Sequence, residues 1–463
     1  MKIIVANYDS YVSRKFTSYL LSKGCEVIAI KCGKSTESTP DNLTVINQDK
    51  AAQTLKSSKA DAAFYFPQDN RVGTDKDSVQ TNYFDFFDIA KNLSIKHFIC
   101  LESVLDGECP HFYEDTNATR PDNYSFAITY FKTDFIIGSG SPSFEAIRNV
   151  VEKLPVMIVP KWIKAPCNPI AIDDLLENLY SAINNENYFN KSFTIGTNDT
   201  ISLGKMMLLY SKNRGMLRLL ISMPLPVIKL SAFLLRIFAK TPKYRSLNLV
   251  KKLKSRHKNR KKHKTPDINT QHNYTESLKL TLGFTSALKL RKKTLDQLST
   301  PVASYAFEGY YGTPVYGCSH IKLEKEIEKK DADRIINKIN NIGYDNRWYL
   351  IDWLWHFKGW TNWLIFTKKE QSNKNEINRG DKLDFWKAQI ADEKNLHILL
   401  FADLFMPGEG WLEFRIIPYK NKLIYRQTLI FRPLGFTGRL YWFWTKPLHY
   451  FLLKRILKNL TVK

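Results

Sequence analysis

A tyrosine and a lysine one helical turn apart can pass a proton to a carbonyl, because the ammonium lowers the pKa of the phenol. The nearest groups of that kind here are Tyr124, Tyr130 and Lys132, and none has the four-residue helical spacing. Tyr130 and Lys132 stand at strand spacing, and they are read as structural. A serine nucleophile on a strand-to-helix elbow needs Gly-x-Ser-x-Gly. The segment Gly138-Ser139-Gly140-Ser141-Pro142 has a different spacing and is read as a structural loop near a cleft. Six cysteines (Cys25, Cys32, Cys100, Cys109, Cys167, Cys318) form no C-x-x-C pair and have no histidine at zinc-ligand spacing. They are expected to be reduced thiols in a cytoplasmic setting. No metal site is expected.

The elements that must position any chemistry begin at the first residues. Lys2–Ala6, Cys25–Ile30, Ala60–Phe66 and His97–Leu101 are short apolar runs, with helical spacing at Phe16–Lys23 and Tyr83–Asn92 between them. Phe135–Ile137 and Pro155–Val159 add further strands. Strands alternating with helices predict an α/β, doubly wound Rossmann-like sheet covered on both faces. Ligands of such a sheet bind outside the carboxyl ends of its strands. The groups at those ends are therefore candidates: Lys31 and Cys32 after the second strand, Tyr65 in the third, and Ser103 after the fourth.

Charge and composition set the next boundary. The chain has 463 residues and a net charge of +24, with 44% hydrophobic and 25% charged residues. That excludes a disordered tail, a collagen and a disulfide scaffold. Lys205–Ala239 reads as apolar helices broken by Pro224 and Pro226, and its most apolar part, Met216–Ala239, carries Arg218, Lys229 and Arg236. An uncharged span of membrane length is absent there, which leaves an interfacial helix open. Lys251–Lys264 has nine Lys or Arg in fourteen positions and no acid. Such a run reads first as a solvated loop, and second as a contact for an anionic membrane surface. No helix-turn-helix, zinc-finger or RNA-recognition pattern points to specific nucleic acid. The predicted organisation is a Rossmann domain over 1–240, a basic linker over 241–300 and a second domain over 301–463.

The second domain holds nine of the ten tryptophans. Ile321–Ile327 alternates as a half-buried strand should, and Asp331–Asn341 is helical with Asp331 expected as its N-cap. Leu383–Ile390, His397–Phe405, Trp411–Pro418 and Leu423–Phe431 read as antiparallel strands, with turns at Gly408–Gly410 and Lys420–Lys422. A helix over Thr437–Leu457 closes the chain. This is an α+β pattern resembling the helix-grip arrangement of START-like ligand-binding domains, which implies an apolar cavity. Trp348, Trp353 and Trp363 are candidates for its aromatic lining. Glu413 and Arg415, two apart on one strand, are candidates for an ion pair or for holding a polar headgroup.

The turn after the first strand reads Ala6-Asn7-Tyr8-Asp9-Ser10-Tyr11-Val12-Ser13. Its shape resembles the first turn of atypical short-chain dehydrogenases, T-G-A-T-G-Y-I-G, with Asn7, Ser10 and Ser13 where the three glycines belong. Asn tolerates positive φ and Ser is small, so a similar loop can form. Asp9 places a carboxylate near the helix start, where it either opposes phosphate or caps the helix. The stretch Phe135–Leu175, with its GSGSPSFEAIR core, resembles a bacterial atypical short-chain dehydrogenase family that carries a second domain of unknown function. So do Gly309–Gly317, Gly380–Trp386, Pro407–Phe414 and Pro433–Tyr441.

The resemblance implies NAD(P) binding, with Asn7, Asp9, Ser10, Val12, Ser13, Lys31, Cys32, Tyr65 and Ser103 around the cofactor. A basic Lys31 there favours NADP over NAD. It implies an oxidoreductase acting on an apolar small molecule, a quinone or a lipid. The lost glycines and the missing Tyr–Lys pair keep a second reading open: a carrier or assembly protein without catalysis, in the cytoplasm or peripheral on the inner membrane.

Overall fold

The structure is a computed structural model. It describes residues 1–31, 42–55, 59–66, 76–93, 95–103, 126–223, 243–259, 265–282, 317–340, 377–378, 380–383, 385–392, 397–403, 406–419 and 422–461. The chain divides into two units, Met1–Leu282 and Gly283–Lys463.

The first unit is built on a parallel sheet. Its strands are β1 (Lys2–Val5), β2 (Glu26–Lys31), β3 (Leu43–Asn47), β4 (Ala62–Tyr65), β5 (His97–Ser103), β6 (Ala127–Thr133), β7 (Lys191–Gly196) and β8 (Ile268–Asn269). They lie in the order β8-β7-β6-β5-β4-β1-β2-β3, and every pairing is parallel. Order 3-2-1-4-5-6 is that of doubly wound dinucleotide-binding sheets, with the topological switch between β1 and β4. Alternation sends Ile3 and Val5 to one face, against α1 (Tyr11–Ser22) and α5 (Ile172–Ser181). Ile4 and Ala6 go to the other, with Phe86, Phe87 and Ala90 of α3 (Lys76–Asn92) and with α2 (Gln48–Thr54). Both faces are apolar because both are covered, as the near-continuous runs KIIV and EVIAIK require.

Beyond β6 come α4 (Pro142–Lys153), α6 (Leu203–Asn213), α7 (Lys243–Lys258) and α8 (Tyr274–Leu282). Two readings of the sequence change here. Residues 243–259 and 265–282 are not linker. They supply α7, the edge strand β8 and α8 of the first unit, because Val250, Leu253, Tyr274 and Leu278 are apolar side chains that bury fully. Nor is 219–223 helical. Leu219–Met223 is a strand paired in parallel with Val156–Pro160, and the rest of the apolar stretch, 224–242, lies outside the described residues.

The second unit is an antiparallel sheet of β9 (Ser319–Ile327), β10 (Lys382–Leu383), β11 (Trp386–Asp392), β12 (His397–Ala402), β13 (Gly408–Tyr419) and β14 (Lys422–Pro433), in the order β9-β14-β13-β12-β11-β10. One face packs on α9 (Lys329–Asn340) and α10 (Gly435–Thr461) through Leu400, Phe414, Tyr425, Phe431, Trp442 and Ile456. Gly408 and Gly410 are strand residues here, not a turn. A methyl on Gly408 would overlap the Arg432 carbonyl and the Phe431 ring of the paired strand. Asp331 is not the N-cap of α9. It lies within the first turn and pairs with Arg334 at 3.1 Å.

His97 opens β5 and is fully buried. Its Nε2 and Thr129 Oγ1 are 2.7 Å apart, and the Thr129 hydroxyl donates to the Tyr188 carbonyl. Nδ1 lies 3.3 Å from the Asn184 N–H. Burial holds the pKa down, from 6.5 to about 4. Between those values the unfolded chain binds a proton that the folded chain refuses. The stability is full above pH 6.5 and is lost as pH falls toward 4, by roughly 3 kcal/mol for a shift of this size. Melting temperature measured across this window should drop on acidification, and His97→Gln should flatten that slope while lowering stability at neutral pH.

Candidate functional site

The strand-to-helix turn at the switch point keeps its shape without glycine. Asn7 takes the left-handed conformation, φ 52°, and its side-chain amide donates to the Phe66 carbonyl at 2.7 Å. The bond ties the turn after β1 to the end of β4. Ser10 is the N-cap of α1, its hydroxyl accepting from the Ser13 N–H at 3.3 Å. Ser13 is fully buried and donates to the Ala6 carbonyl at 3.0 Å, so helix and strand meet at hydroxyl-bridged contact. Thus the tight turn and the close helix–strand approach survive in other residues.

Asp9 does not cap the helix. Ser10 occupies that position because its shorter side chain reaches back to the third turn residue, while the Asp9 carboxylate pairs with Lys31 at 3.3 Å. Tyr8 N–H donates to the Ile30 carbonyl, which joins the turn to the end of β2. Asp9 and Lys31 are the charged pair at the mouth of the turn; Val12, at the base, belongs to the apolar layer beneath α1.

The remaining predicted groups separate. Ser103 ends β5 opposite Thr133 and is buried. Tyr65 is fully buried in the layer under α3, its ring edge-on to Tyr83 at 4.9 Å. Alternation places it on the face of the sheet opposite to Phe64. Cys32 lies outside the described residues. Tyr130 faces the same layer as Tyr65, its phenol oxygen 3.3 Å from that of Tyr83. The GSGS loop is structural. Ser141 caps α4 and also donates to the Ile136 carbonyl, while Arg148 reaches Ser139 at 3.2 Å and Glu145 at 2.8 Å. A methyl on Gly138 would overlap the Tyr11 hydroxyl, so this glycine makes room for the residue that follows the turn's cap.

Sequence reasoning missed what α7 does. Lys252 pairs with Glu102 at 3.4 Å, and Arg256 pairs with Asp134 at 2.6 Å. Glu102 is near the end of β5 and Asp134 follows β6, so the basic helix crosses the carboxyl ends of these strands, where a doubly wound sheet binds its substrates. Asp134 also accepts from the Asn168 N–H at 2.7 Å. The signal was present in the two acids ending adjacent strands, but nothing in the sequence joined them to lysines and arginines more than a hundred residues later.

In the second unit the sheet face away from α10 carries polar groups. His397 Nε2 and Glu413 Oε1 are 3.1 Å apart, and both residues are buried. Glu409 pairs with Arg432 at 3.2 Å, and the guanidinium lies 5.1 Å from the Trp411 ring. Trp411 donates to Gln389 at 3.1 Å, among Leu399, Phe401 and Ile430. Glu413 pairs with His397 on the neighbouring strand. Residues two apart on a strand share a face but stand about 7 Å apart, whereas a neighbouring strand is about 5 Å away. Arg415 sits on the same face, opposite His397 on one side and Arg426 on the other. Trp348, Trp353 and Trp363 lie outside the described residues. Among the described residues no group of His, Cys, Asp or Glu is arranged to hold a metal ion.

Residues 318–456 match a family described as a protein of unknown function, DUF2867. No curated protein matches the chain. Among solved structures it is similar to a nucleoside-diphosphate-sugar epimerase from Staphylococcus aureus, with 12% identity, a TM-score of 0.43 and coverage of 60% of this chain and 99% of that one. It is also similar to the enzyme WbmH of Bordetella bronchiseptica in complex with NAD+, with 12% identity, a TM-score of 0.37 and coverage of 48% and 85%. A UDP-glucose 4-epimerase of Thermotoga maritima with UDP-glucose has 12% identity and a TM-score of 0.37, over 48% and 86%. No chemistry follows from likenesses this distant.

The turn makes its own test. Asn7→Ala and Asn7→Gly both remove the bond to Phe66, but only Ala must hold a β-carbon at positive φ. Asn7→Ala should therefore be less stable than Asn7→Gly by about 1–2 kcal/mol in denaturant unfolding. Equal stabilities would mean that the turn relaxes out of the left-handed conformation.

Proposed function

We propose that the first unit binds NAD(P), with NADP favoured over NAD, and that the chain is an oxidoreductase homologue of the atypical short-chain dehydrogenase/reductase type acting on an apolar substrate of the quinone or lipid kind. The observation that carries this reading is the left-handed Asn7 turn at the switch point of a 3-2-1-4-5-6 parallel sheet. The residues present fit the cofactor in shape. Asn7 supplies the turn, Ser13 the close packing, and Ser10 the capped start of α1. Lys31 would hold a 2′-phosphate, exchanging its Asp9 partner for it. A partly exposed pair of this kind is worth about 0–1 kcal/mol, so the exchange costs little. When bound, the nicotinamide supplies or accepts a hydride. Ser103 and the α7 contacts to Glu102 and Asp134 border the substrate side of the same cleft. Tyr130 is not assigned as a proton donor, because its phenol is held against Tyr83.

A second reading, an apolar-ligand carrier or assembly protein without catalysis, is favoured by how the turn spends its donors. Ser13 N–H goes to Ser10 Oγ and Tyr8 N–H goes to Ile30, both groups that a pyrophosphate would otherwise use. In that case the ligand belongs to the second unit. A helix-grip arrangement of its strand, helix, antiparallel sheet and long last helix is part of this proposal. Leu399, Phe401, Trp411 and Ile430 would form an apolar floor, with His397–Glu413 and Arg415 at its polar end.

Calorimetric titration of the purified chain with NADPH and NADH separates the two. The enzyme reading expects micromolar NADPH, weaker NADH, and a loss of about tenfold in NADPH affinity in Lys31→Glu, the scale of one lost charged contact. Absence of binding at millimolar concentrations of both cofactors would end the dehydrogenase reading and leave the carrier.

A further inference from the structure

The long helix α10 is apolar on two opposite sides. Gly438, Trp442, Leu453, Ile456 and Leu460 face the sheet and are buried. The opposite stripe, Phe436, Leu440, Phe443, Trp444, Leu448 and Phe451, is open to solvent, with Phe443 at 71% and Trp444 at 72% exposure. These positions recur at intervals of three and four, so they line one side of the helix. A surface helix covering a sheet should be polar there, and scattered single apolar residues would need no explanation. A contiguous aromatic stripe marks a docking face.

Its charge says what docks. Continuing along the same side, the stripe turns into Lys454, Arg455 and Lys458, all exposed. The whole helix has five Lys or Arg and no Asp or Glu. A second copy of the chain meeting this stripe would bring no acid from the helix to answer those cations. Anionic lipid headgroups would answer them, and Trp, Tyr and Phe are the side chains that settle at the bilayer interface. No helix among the described residues is long and apolar enough to cross a membrane. We propose that the outward face of α10 docks onto an anionic bilayer, lying in the interface plane with Phe443, Trp444 and Phe451 among the acyl chains and Lys454, Arg455 and Lys458 on the headgroups. This site is distinct from the basic run read in the sequence, where Lys252 and Arg256 are already engaged by Glu102 and Asp134.

The test is co-sedimentation of the full chain with vesicles of phosphatidylcholine alone and of phosphatidylcholine mixed with phosphatidylglycerol, at low and high salt. The wild type should pellet with the mixed vesicles, stay in solution with the neutral ones, and be released by salt. Phe443→Ser with Trp444→Ser should lower partitioning about tenfold at an unchanged melting temperature, since both side chains are already in water. Lys454→Glu with Lys458→Glu leaves the aromatic stripe intact and should abolish the preference for the anionic vesicles. Failure of the wild type to bind either vesicle overturns the proposal. So does wild-type partitioning by both variants, which would move the contact elsewhere on the chain. A wild-type dimer dissolved by Phe443→Ser with Trp444→Ser would assign the stripe to a second copy and overturn it equally.

Discussion

The hydrogen bond from the Asn7 side chain to the Phe66 carbonyl ties together the two strand ends at which the strand order of the parallel sheet reverses. A chain leaving β1 must turn sharply enough for α1 to fall back on Ile3 and Val5, and only a residue that accepts positive φ can make that turn. Asn does so at some conformational cost, which the buried bond to β4 offsets. The consequence runs through the unit. With Asn7 fixed, Ser10 caps α1, Ser13 seats against Ala6, and Tyr11 extends to the space that Gly138 leaves open. The first turn and the later GSGS loop are thus two parts of one packing arrangement.

Charge in the first unit is partly structural. A net charge of +24 invites a search for an anionic partner, yet Lys252 and Arg256, both inside the most basic run, hold α7 to the sheet through Glu102 and Asp134. Paired charges near a sheet end stay favourable where solvent is partly excluded and geometry is tight, as at 2.6 Å between Arg256 and Asp134. A like-charged run therefore need not be a solvated loop when acids from distant strands meet it. α10 differs: its acid-free outer side leaves lysines and arginines on open surface beside aromatic rings.

The second unit shows how one sheet can host two environments. Odd positions of β13, Glu409, Trp411 and Glu413, meet His397, Gln389 and Arg432 in a buried polar layer, while even positions, Leu412 and Phe414, meet α9 and α10 in an apolar one. Burying charged and polar groups costs desolvation, and pairing across strands offsets part of it here. His397–Glu413 and Arg432–Glu409 therefore bind neighbouring strands to one another as well as lining a surface.

Alternation and composition in the sequence were enough to determine the parallel sheet, the antiparallel sheet and the closing helix. Such patterns are local: the continuous apolar runs KIIV, EVIAIK and AAFY mark strands covered on both faces, and the alternation of Ile321–Ile327 marks a half-buried one. The absence of glycine from the turn after the first strand was equally legible, as was the tolerance of Asn7 for a left-handed turn. Which group answers which charge was decided only by the tertiary structure. Asp9 found Lys31, leaving the cap to Ser10; Glu413 found His397 on the neighbouring strand; Lys252 and Arg256 found acids at strand ends more than a hundred residues earlier. A pairing depends on distances of about 3 Å between groups far apart in the chain, and local pattern carries no information on such distances. The same limit explains α10. Its sequence shows an apolar, basic helix, but only the packing of Trp442, Leu453 and Ile456 against the sheet decides which of its two apolar sides is left for a partner.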